Sequence, residues 1–473
     1  MTGIEKLFRR DVRGTTADTP RRTFIRHALS GYFAKRYSLQ DAYADWQAAR
    51  TTASAIKFDA VNRLDTHLET FAKRAEARGT KVFFASTGAQ ARDYVLALCR
   101  EKGVRSVVKA KTMTGEEIHL NEALEKEGYG VVESDLGEYI VQLRKEHPYH
   151  FVFPCMHLKR GEIRETFEKA LGAANVPSDE PEALTMVARR VLRQEFLKAD
   201  LGISGGNFLV AETGQVSITE NEGNARLTCA LPRIHVALVG IEKVVPRFED
   251  LALFLPMLGT AGAGQALTGY NTLYGGPRQP GETDGPEEFH VILLDNHRTR
   301  LLADPEQRDA LHCIRCGACL NVCPIFKNIG GHAYGTTYQG PIGSVITPHL
   351  RGLQDWKHLS GASSLCGACT ETCPVKINLH HHLLQNRRNA VRERGVWWER
   401  LLFQGFGLYA SHAALWRLGS RLAVPGLKIH ARFSGAWFDP ARLWTKTRTL
   451  PRPPERTFRQ LWAERQKQKF PRS

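Results

Sequence analysis

The sequence predicts a mixed α/β domain built on parallel strands, then a helical cysteine-rich domain, then a basic tail. Three observations carry that reading. Short apolar runs alternate with helical stretches between Lys81 and Asp295, the pattern of parallel βαβ units. Seven of the ten cysteines lie between positions 313 and 373. The last 83 residues hold 17 Lys and Arg against 5 Asp and Glu, most of the formal net charge of +16. At roughly 150 residues per domain, a chain of 473 residues predicts about three units. The expected boundaries are a helical arm over 1–78, the α/β domain over 79–298, the cysteine domain over 299–390 and the extension over 391–473. With 42% hydrophobic and 24% charged residues, the composition is that of a globular protein, and it excludes a disordered, collagen-like or small disulfide-scaffold chain. The longest apolar stretches are interrupted by Arg, Glu or His before the ~18–20 residues that a spanning helix needs.

The elements follow in order. Asp41–Arg78 reads as long exposed helices, suited to an arm or a dimer contact. Lys81–Ser86 is a buried strand bounded by Thr87-Gly88, followed by a helix over Ala89–Lys102. Arg105–Lys109 is the second strand, Gly115–Gly128 a helix, Tyr129–Glu133 the third strand, Leu136–Glu146 a helix and His150–Phe153 the fourth strand. Later strands are expected at Asn207–Ala211, Val216–Thr219 and His235–Val239, and Val291–Asp295 closes the domain. Upstream, Pro20-Arg21-Arg22-Thr23-Phe24-Ile25-Arg26 looks like a twin-arginine export signal. Such a signal must lead into an apolar segment, and His27–Arg36 is too short and too basic, so the expected location is cytoplasmic.

The first cysteine group, Cys313-Ile-Arg-Cys316-Gly-Ala-Cys319-Leu-Asn-Val-Cys323-Pro324, is the C-x2-C-x2-C-x3-C-P run of bacterial-type iron–sulfur sites. A tight loop with this spacing offers three thiolates to three irons of one cubane face. The fourth cysteine sits beyond a helical turn and, in two-cluster proteins, ligates the other cluster. The second group, Ser363-Ser-Leu-Cys366-Gly-Ala-Cys369-Thr-Glu-Thr-Cys373-Pro374, repeats the first with Ser363 in place of the leading cysteine. The crossed rule gives cluster one Cys313, Cys316, Cys319 and Cys373, and cluster two Cys323, Cys366 and Cys369. Three alternatives complete the second cluster: a [3Fe-4S] type, a [4Fe-4S] type with an open or non-cysteine position such as Ser363 or water, or a cysteine from elsewhere among Cys99, Cys155 and Cys229. Those three read more simply as buried thiols. A structural zinc site needs only four ligands, and disulfides are disfavoured because nothing marks the chain as secreted. The separator of about 40 residues, with helical composition at Leu350–Leu359 and Ile377–Arg394, points to an α-helical ferredoxin. Within it, His332, Tyr334 and Tyr338 either pack as a loop, the simpler reading, or line a cluster or a partner site.

Polar groups follow several strands, where open α/β sheets place ligands. Thr112–Glu117 caps a helix or receives an anion. Glu220, Glu222 and Arg226 form a salt-bridged turn or hold a substrate for acid/base work. Gly259–Gly264 resembles a phosphate loop but matches no phosphate-binding motif, so a flexible loop is expected. Thr268–Glu288 reads as a surface excursion, and His380–His382 as solvated helix surface. The tail holds six of the eight tryptophans, Trp397, Trp398, Trp416, Trp437, Trp444 and Trp462, with an amphipathic helix expected over Phe406–Leu418. A protein partner is the first expectation for it and membrane-surface contact the second. Nucleic acid is not expected, because no nucleic-acid module accompanies the basic residues.

Taken together, Lys111–Asn121, Glu133-Ser-Asp-Leu-Gly-Glu138, Thr219-Glu-Asn-Glu-Gly-Asn224 and both cysteine groups resemble the lactate-utilisation protein B family of iron–sulfur proteins. The resemblance covers roughly residues 41–377, and the tail is similar to that family's C-terminal extension. It implies a Rossmann-like domain of the ribose-isomerase/CoA-transferase type ahead of an α-helical ferredoxin, and serine at position 363 is in keeping with the family's pattern. It also implies two iron–sulfur clusters, at least one of them [4Fe-4S], in an electron-transfer subunit. That subunit works with two other lactate-utilisation subunits to oxidise L-lactate to pyruvate. The expected location stays cytoplasmic, and the basic tail allows peripheral contact with the inner face of the membrane. Two rivals remain. The α/β domain itself binds and oxidises the substrate near Glu220, Glu222 and Arg226, or the chain serves another dehydrogenase, resembling heterodisulfide-reductase components.

Overall fold

The computed structural model describes residues 2–433, 439, 441–445, 448–449 and 454–469. The chain divides into two units, 1–390 and 391–473. Ten strands occur in the first: β1 Lys81–Ala85, β2 Ser106–Lys109, β3 Gly130–Glu133, β4 Leu201–Ser204, β5 Phe208–Val210, β6 Gln215–Glu220, β7 Ile234–Gly240, β8 Val244–Val245, β9 Tyr270–Tyr274 and β10 Glu288–Leu294. Six form a parallel sheet in the order β1-β10-β7-β4-β2-β3. Every residue of β4 and β7 is buried, as befits central strands covered on both faces. The connecting helices start where the chemistry asks: Thr87 and Gln90 form a capping box for the helix Gly88–Glu101.

Strands β2 and β4 lie side by side. From β2 the chain goes on to β3 at one side, and from β4 it reaches β7 on the other. Their carboxyl ends therefore flank a topological switch point. Sequence reading missed β4, whose Leu-Gly-Ile-Ser run is only four residues long and has one β-branched residue to mark it. The strands expected at Asn207–Ala211 and Val216–Thr219 belong instead to a separate small sheet, β8-β5-β6-β9. Its last strand comes out of the expected surface excursion.

Three expectations fail for identifiable reasons. His150–Phe153 forms no strand. It is a loop whose apolar residues have no ladder partner and bury against the cysteine-rich region, with His150 Nε2 3.1 Å from Asn321 Oδ1. The helices Trp46–Asn62 and Leu64–Glu76 are not an exposed arm, since Ala53, Lys57, Val61 and Phe71 are buried. In the first of them the inward face is Arg50, Ala53, Lys57, Ala60 and Val61, small and basic residues that hide its buried character from a periodicity argument. Gly259–Gly264 is not a loop either. It ends the helix Leu251–Ala263, and its glycines allow close approach: a Cβ on Gly262 would lie 2.6 Å from the Cys316 carbonyl oxygen.

The N-terminal helices are built into this unit. In the helix Thr19–Gln40, Arg21 pairs with Glu162 at 2.6 Å and Arg22 donates to Asn328 Oδ1 at 2.6 Å, so both arginines of the apparent export motif have structural partners. Residues 298–390 are helical, with no strand among them. In the second unit, the helices Trp397–Ser411 and Ala413–Phe433 break at His412, inside the single helix expected over Phe406–Leu418. Tyr409 and Trp416 pack across the break at 5.5 Å. Trp437 lies outside the described residues. Among the described residues, no helix is long and apolar enough to cross a membrane.

Candidate metal centre

The two cysteine groups fold alike. Gly317 (φ 80°) and Gly367 (φ 84°) take the left-handed conformation that leads into the short helices Ala318–Val322 and Ala368–Thr372. Cys323 and Cys373 end those helices with φ, ψ of −69°, 119° and −66°, 120°. Arg315 (φ 60°) and Leu365 (φ 54°) are left-handed too, at a cost of about 1–2 kcal/mol for each non-glycine residue. Backbone N–H groups point at sulfur: Arg315 donates to Cys313 Sγ at 3.4 Å, Phe326 to Cys323 Sγ at 3.5 Å and Ile377 to Cys373 Sγ at 3.4 Å. In the second group the Leu365 N–H donates to Ser363 Oγ at 3.1 Å. Ser363 thus accepts the bond that Cys313 accepts in the first group.

Cys313, Cys316, Cys319 and Cys373 line one small cavity together with Gly317, Ile342 and Ile377. Cys323, Cys366 and Cys369 form a second neighbourhood, each in the field of the others. Burial, followed by the neighbouring thiols, pushes Cys316 up to about 11, Cys369 up to about 11 and Cys373 up to about 12. The raised thiols of Cys316, Cys369 and Cys373 would stay protonated at neutral pH, yet N–H donors are aimed at the Cys313, Cys323 and Cys373 sulfurs as if at thiolates. Iron that replaces the protons satisfies both features, so the residues fit an iron–sulfur cluster at each place. Of the other three cysteines, Cys99 and Cys229 are buried as expected, and half-buried Cys155 lines a larger cavity described below.

The first group is tied to the sheet. Arg315 Nη2 pairs with Glu242 Oε1 at 3.0 Å, just past the end of β7. Glu242 Oε2 also pairs with Arg298 Nε at 2.6 Å, and Arg298 grips Glu117 with two bonds of 2.9 and 2.7 Å. Tyr338 donates to Glu117 Oε2 at 2.6 Å, and the Arg315 guanidinium lies 4.6 Å from its ring centre. Burial alone would raise Glu242, but Arg298 and Arg315 carry it down to about 2. Tyr338 therefore serves the cysteine loop, and buried Tyr334 lies in the field of Cys323 and Cys319, whereas His332 bonds the His147 carbonyl at 2.7 Å. His382 is not solvated surface. It is buried and pairs with Asp309 at 2.7 Å.

A cavity of about 590 Å³ opens at the carboxyl ends of β2, β4 and β7. Around it stand Lys111, Asp135, Gly205, Gly206, Glu220, Glu222, Lys243, Arg315 and Cys316. Lys111 pairs with Asp135 at 3.3 Å. Thr112 caps the helix Met113–Glu117 through the Gly115 N–H, so the capping expectation describes this turn. Glu220 accepts N–H bonds from Ala225 and Arg226 at 2.7 and 2.9 Å, which is helix capping. Glu222 stays at the exposed rim, raised to about 7 by desolvation and by Asp135. Arg226 lies over the Tyr270 ring at 5.0 Å instead of lining the cavity. Sequence reasoning missed Lys243, Glu242 and Arg298. The first two directly follow a strand, a signal that was available, whereas nothing local marks Arg298.

Family models match the LUD domain over residues 68–294, the 4Fe-4S dicluster domain over 309–377 and the lactate utilisation protein B C-terminal region over 378–467. Among similar proteins, lactate utilization protein B of Shouchella clausii is 43% identical over 455 residues, 94% of this chain and 95% of the relative. The protein of that name from Bacillus subtilis is 41% identical over 452 residues, 94% of each chain.

Proposed function

The chain belongs to the lactate utilisation protein B family, and from that premise we propose that it is the electron-transfer subunit of a complex oxidising L-lactate to pyruvate. The observation that carries this reading is the division of seven thiols into two neighbourhoods, one facing a large cavity and the other reaching the surface at Cys366. Cys313, Cys316, Cys319 and Cys373 would hold the first cluster. Cys323, Cys366 and Cys369 would hold the second, with Ser363 at its fourth corner, supported by the bond from Leu365. Bound clusters supply one-electron acceptance and release.

The chain's own residues set the conditions. Arg315 and Lys243 put positive charge beside the first group, which favours the added electron. Ile314, Ile342 and Ile377 line its cavity and exclude water around it. We read the α/β domain as one of the ribose-isomerase/CoA-transferase type. The complex would contain two other lactate-utilisation subunits, met in part through the second unit, where Trp397, Leu401 and Phe403 are exposed. The test is to mix the anaerobic, iron-loaded chain with those subunits and add L-lactate. Cluster EPR signals that change only with partners present are expected. Reduction by lactate of this chain alone would move catalysis here, and no reduction under either condition would refute the lactate reading.

A further inference from the structure

The cavity beside the first cysteine group is built to take a ligand. It opens where β2 and β4 send the chain to opposite sides of the sheet, the crevice in which open α/β sheets bind their ligands. Two of its cationic groups are incompletely paired. Lys243 is 8% exposed, and its ammonium has no hydrogen-bond or ion-pair partner among the described residues. The Arg315 Nη1 nitrogen is buried without a partner, while Nη2 is held by Glu242. Buried cationic donors left without a hydrogen-bond partner are expensive, and a ligand anion would offset that cost.

The surroundings narrow the ligand. Lys111, Lys243 and Arg315 line the cavity together with Asp135, Glu220, Glu222 and Glu242. Lys111 is already matched to Asp135. A dianion such as phosphate would meet those carboxylates, whereas a single carboxylate asks only for the unpaired donors. Gly205 and Gly206 follow β4 and bring bare backbone to the wall.

We propose that this cavity binds a small monocarboxylate of the 2-hydroxy or 2-oxo acid class, its carboxylate held by Lys243 and Arg315. The anion site stands on the cavity itself, and only the choice of 2-hydroxy or 2-oxo acid rests on the lactate reading above. Cys316 lines the same cavity, so the bound acid sits against the first cluster's loop.

The test uses the full iron-loaded chain under anaerobic conditions and titrates it calorimetrically with pyruvate, L-lactate, methyl pyruvate and inorganic phosphate. Pyruvate is expected to bind, with the uncharged ester and phosphate weaker by about tenfold or more. Lys243→Met should weaken pyruvate by a similar factor with unchanged iron content. Because substitution of a buried residue risks misfolding, the wild-type chain supplies a second readout: pyruvate should slow chemical acetylation of Lys243 and leave exposed Lys198 unaffected. Equal pyruvate binding by a folded Lys243→Met chain, or no protection of Lys243, overturns the site. Phosphate binding as tightly as pyruvate overturns the carboxylate class. If Lys243→Met abolishes pyruvate binding but lactate with partners never reduces the clusters, the site stands and the lactate reading falls. The reverse pattern removes the site alone.

Discussion

The two cysteine groups share a backbone and differ in everything around it. A Cβ on Gly317 would lie 2.8 Å from Val152 Cγ2 and 3.1 Å from His150 Cε1, whereas one on Gly367 would meet nothing within 4 Å. The first group is clamped to the sheet by Arg315 and Glu242 and faces the cavity through Cys316. The second is held by N-terminal helices, with Arg36 donating to Thr372 and Arg50 Nε donating to the Cys373 carbonyl at 2.9 Å, and it exposes Cys366. The same loop thus makes an inner station and an outer one. In the proposed relay, an electron entering beside the cavity would leave through the face that solvent, or a partner, can reach.

The largest effect should come from the inner ligands. Cys316→Ser is expected to remove the first cluster, drop the iron content from about eight to about four per chain and abolish lactate-dependent reduction; iron analysis and EPR check this. Unchanged iron would contradict the ligand role.

Next comes the clamp. Glu242→Gln leaves Arg298 and Arg315 short of a buried partner and should cost about 3–5 kcal/mol in unfolding free energy, measured by denaturant titration. The first cluster should bleach faster with a chelator while the second is spared. Equal bleaching of both would erase the inner–outer distinction.

The glycines offer a matched pair. Gly367→Ala should cost about 1–2 kcal/mol for its left-handed backbone, and Gly317→Ala more, because Val152 and His150 must also move. Thermal melts of both variants compare them directly, and equal losses would mean that the α/β contact contributes nothing.

The smallest effect concerns the helix Thr19–Gln40, which carries Arg36 to the second group and is anchored by Arg21. The hydrogen bond from Arg21 carries Glu162 down to about 2. A depressed carboxyl stabilises the fold above its unfolded value near 4.5 and loses that contribution as pH falls toward 2. Arg21→Gln should therefore lower the melting temperature at pH 6 by an amount equivalent to about 1 kcal/mol or less and shrink the further drop between pH 5 and 3. An unchanged acid slope would exclude the pair as an anchor.

Much of the inner–outer design could be read from sequence, and the reasons for the gaps are physical. Cysteine spacing specifies a loop shape, so the two groups announced themselves. Strands buried in mid-sheet announced themselves where they were rich in valine and isoleucine, and β4 did not. The buried network of Glu117, Glu242, Arg298 and Arg315 joins residues up to 198 positions apart, and no local pattern predicts such pairing. Helices with alanine and lysine on their inward face, such as Trp46–Asn62, looked exposed because periodicity counts apolar bulk and does not see a lysine whose Nζ caps the Glu242 and Val244 carbonyls at 2.7 and 3.0 Å. Ser363 was visible as a departure from the repeat, but its place in the loop needed the Leu365 bond.

The crossing of ligands between the two groups is the most direct test of this design. Single Cys→Ser variants at 316, 373, 323 and 366 would be purified anaerobically and compared by EPR after dithionite reduction. Cys373→Ser should alter the same signal as Cys316→Ser, and Cys323→Ser the same signal as Cys366→Ser. Should Cys373→Ser match Cys366→Ser instead, each sequence group holds its own cluster, and the inner and outer stations described above are wrong.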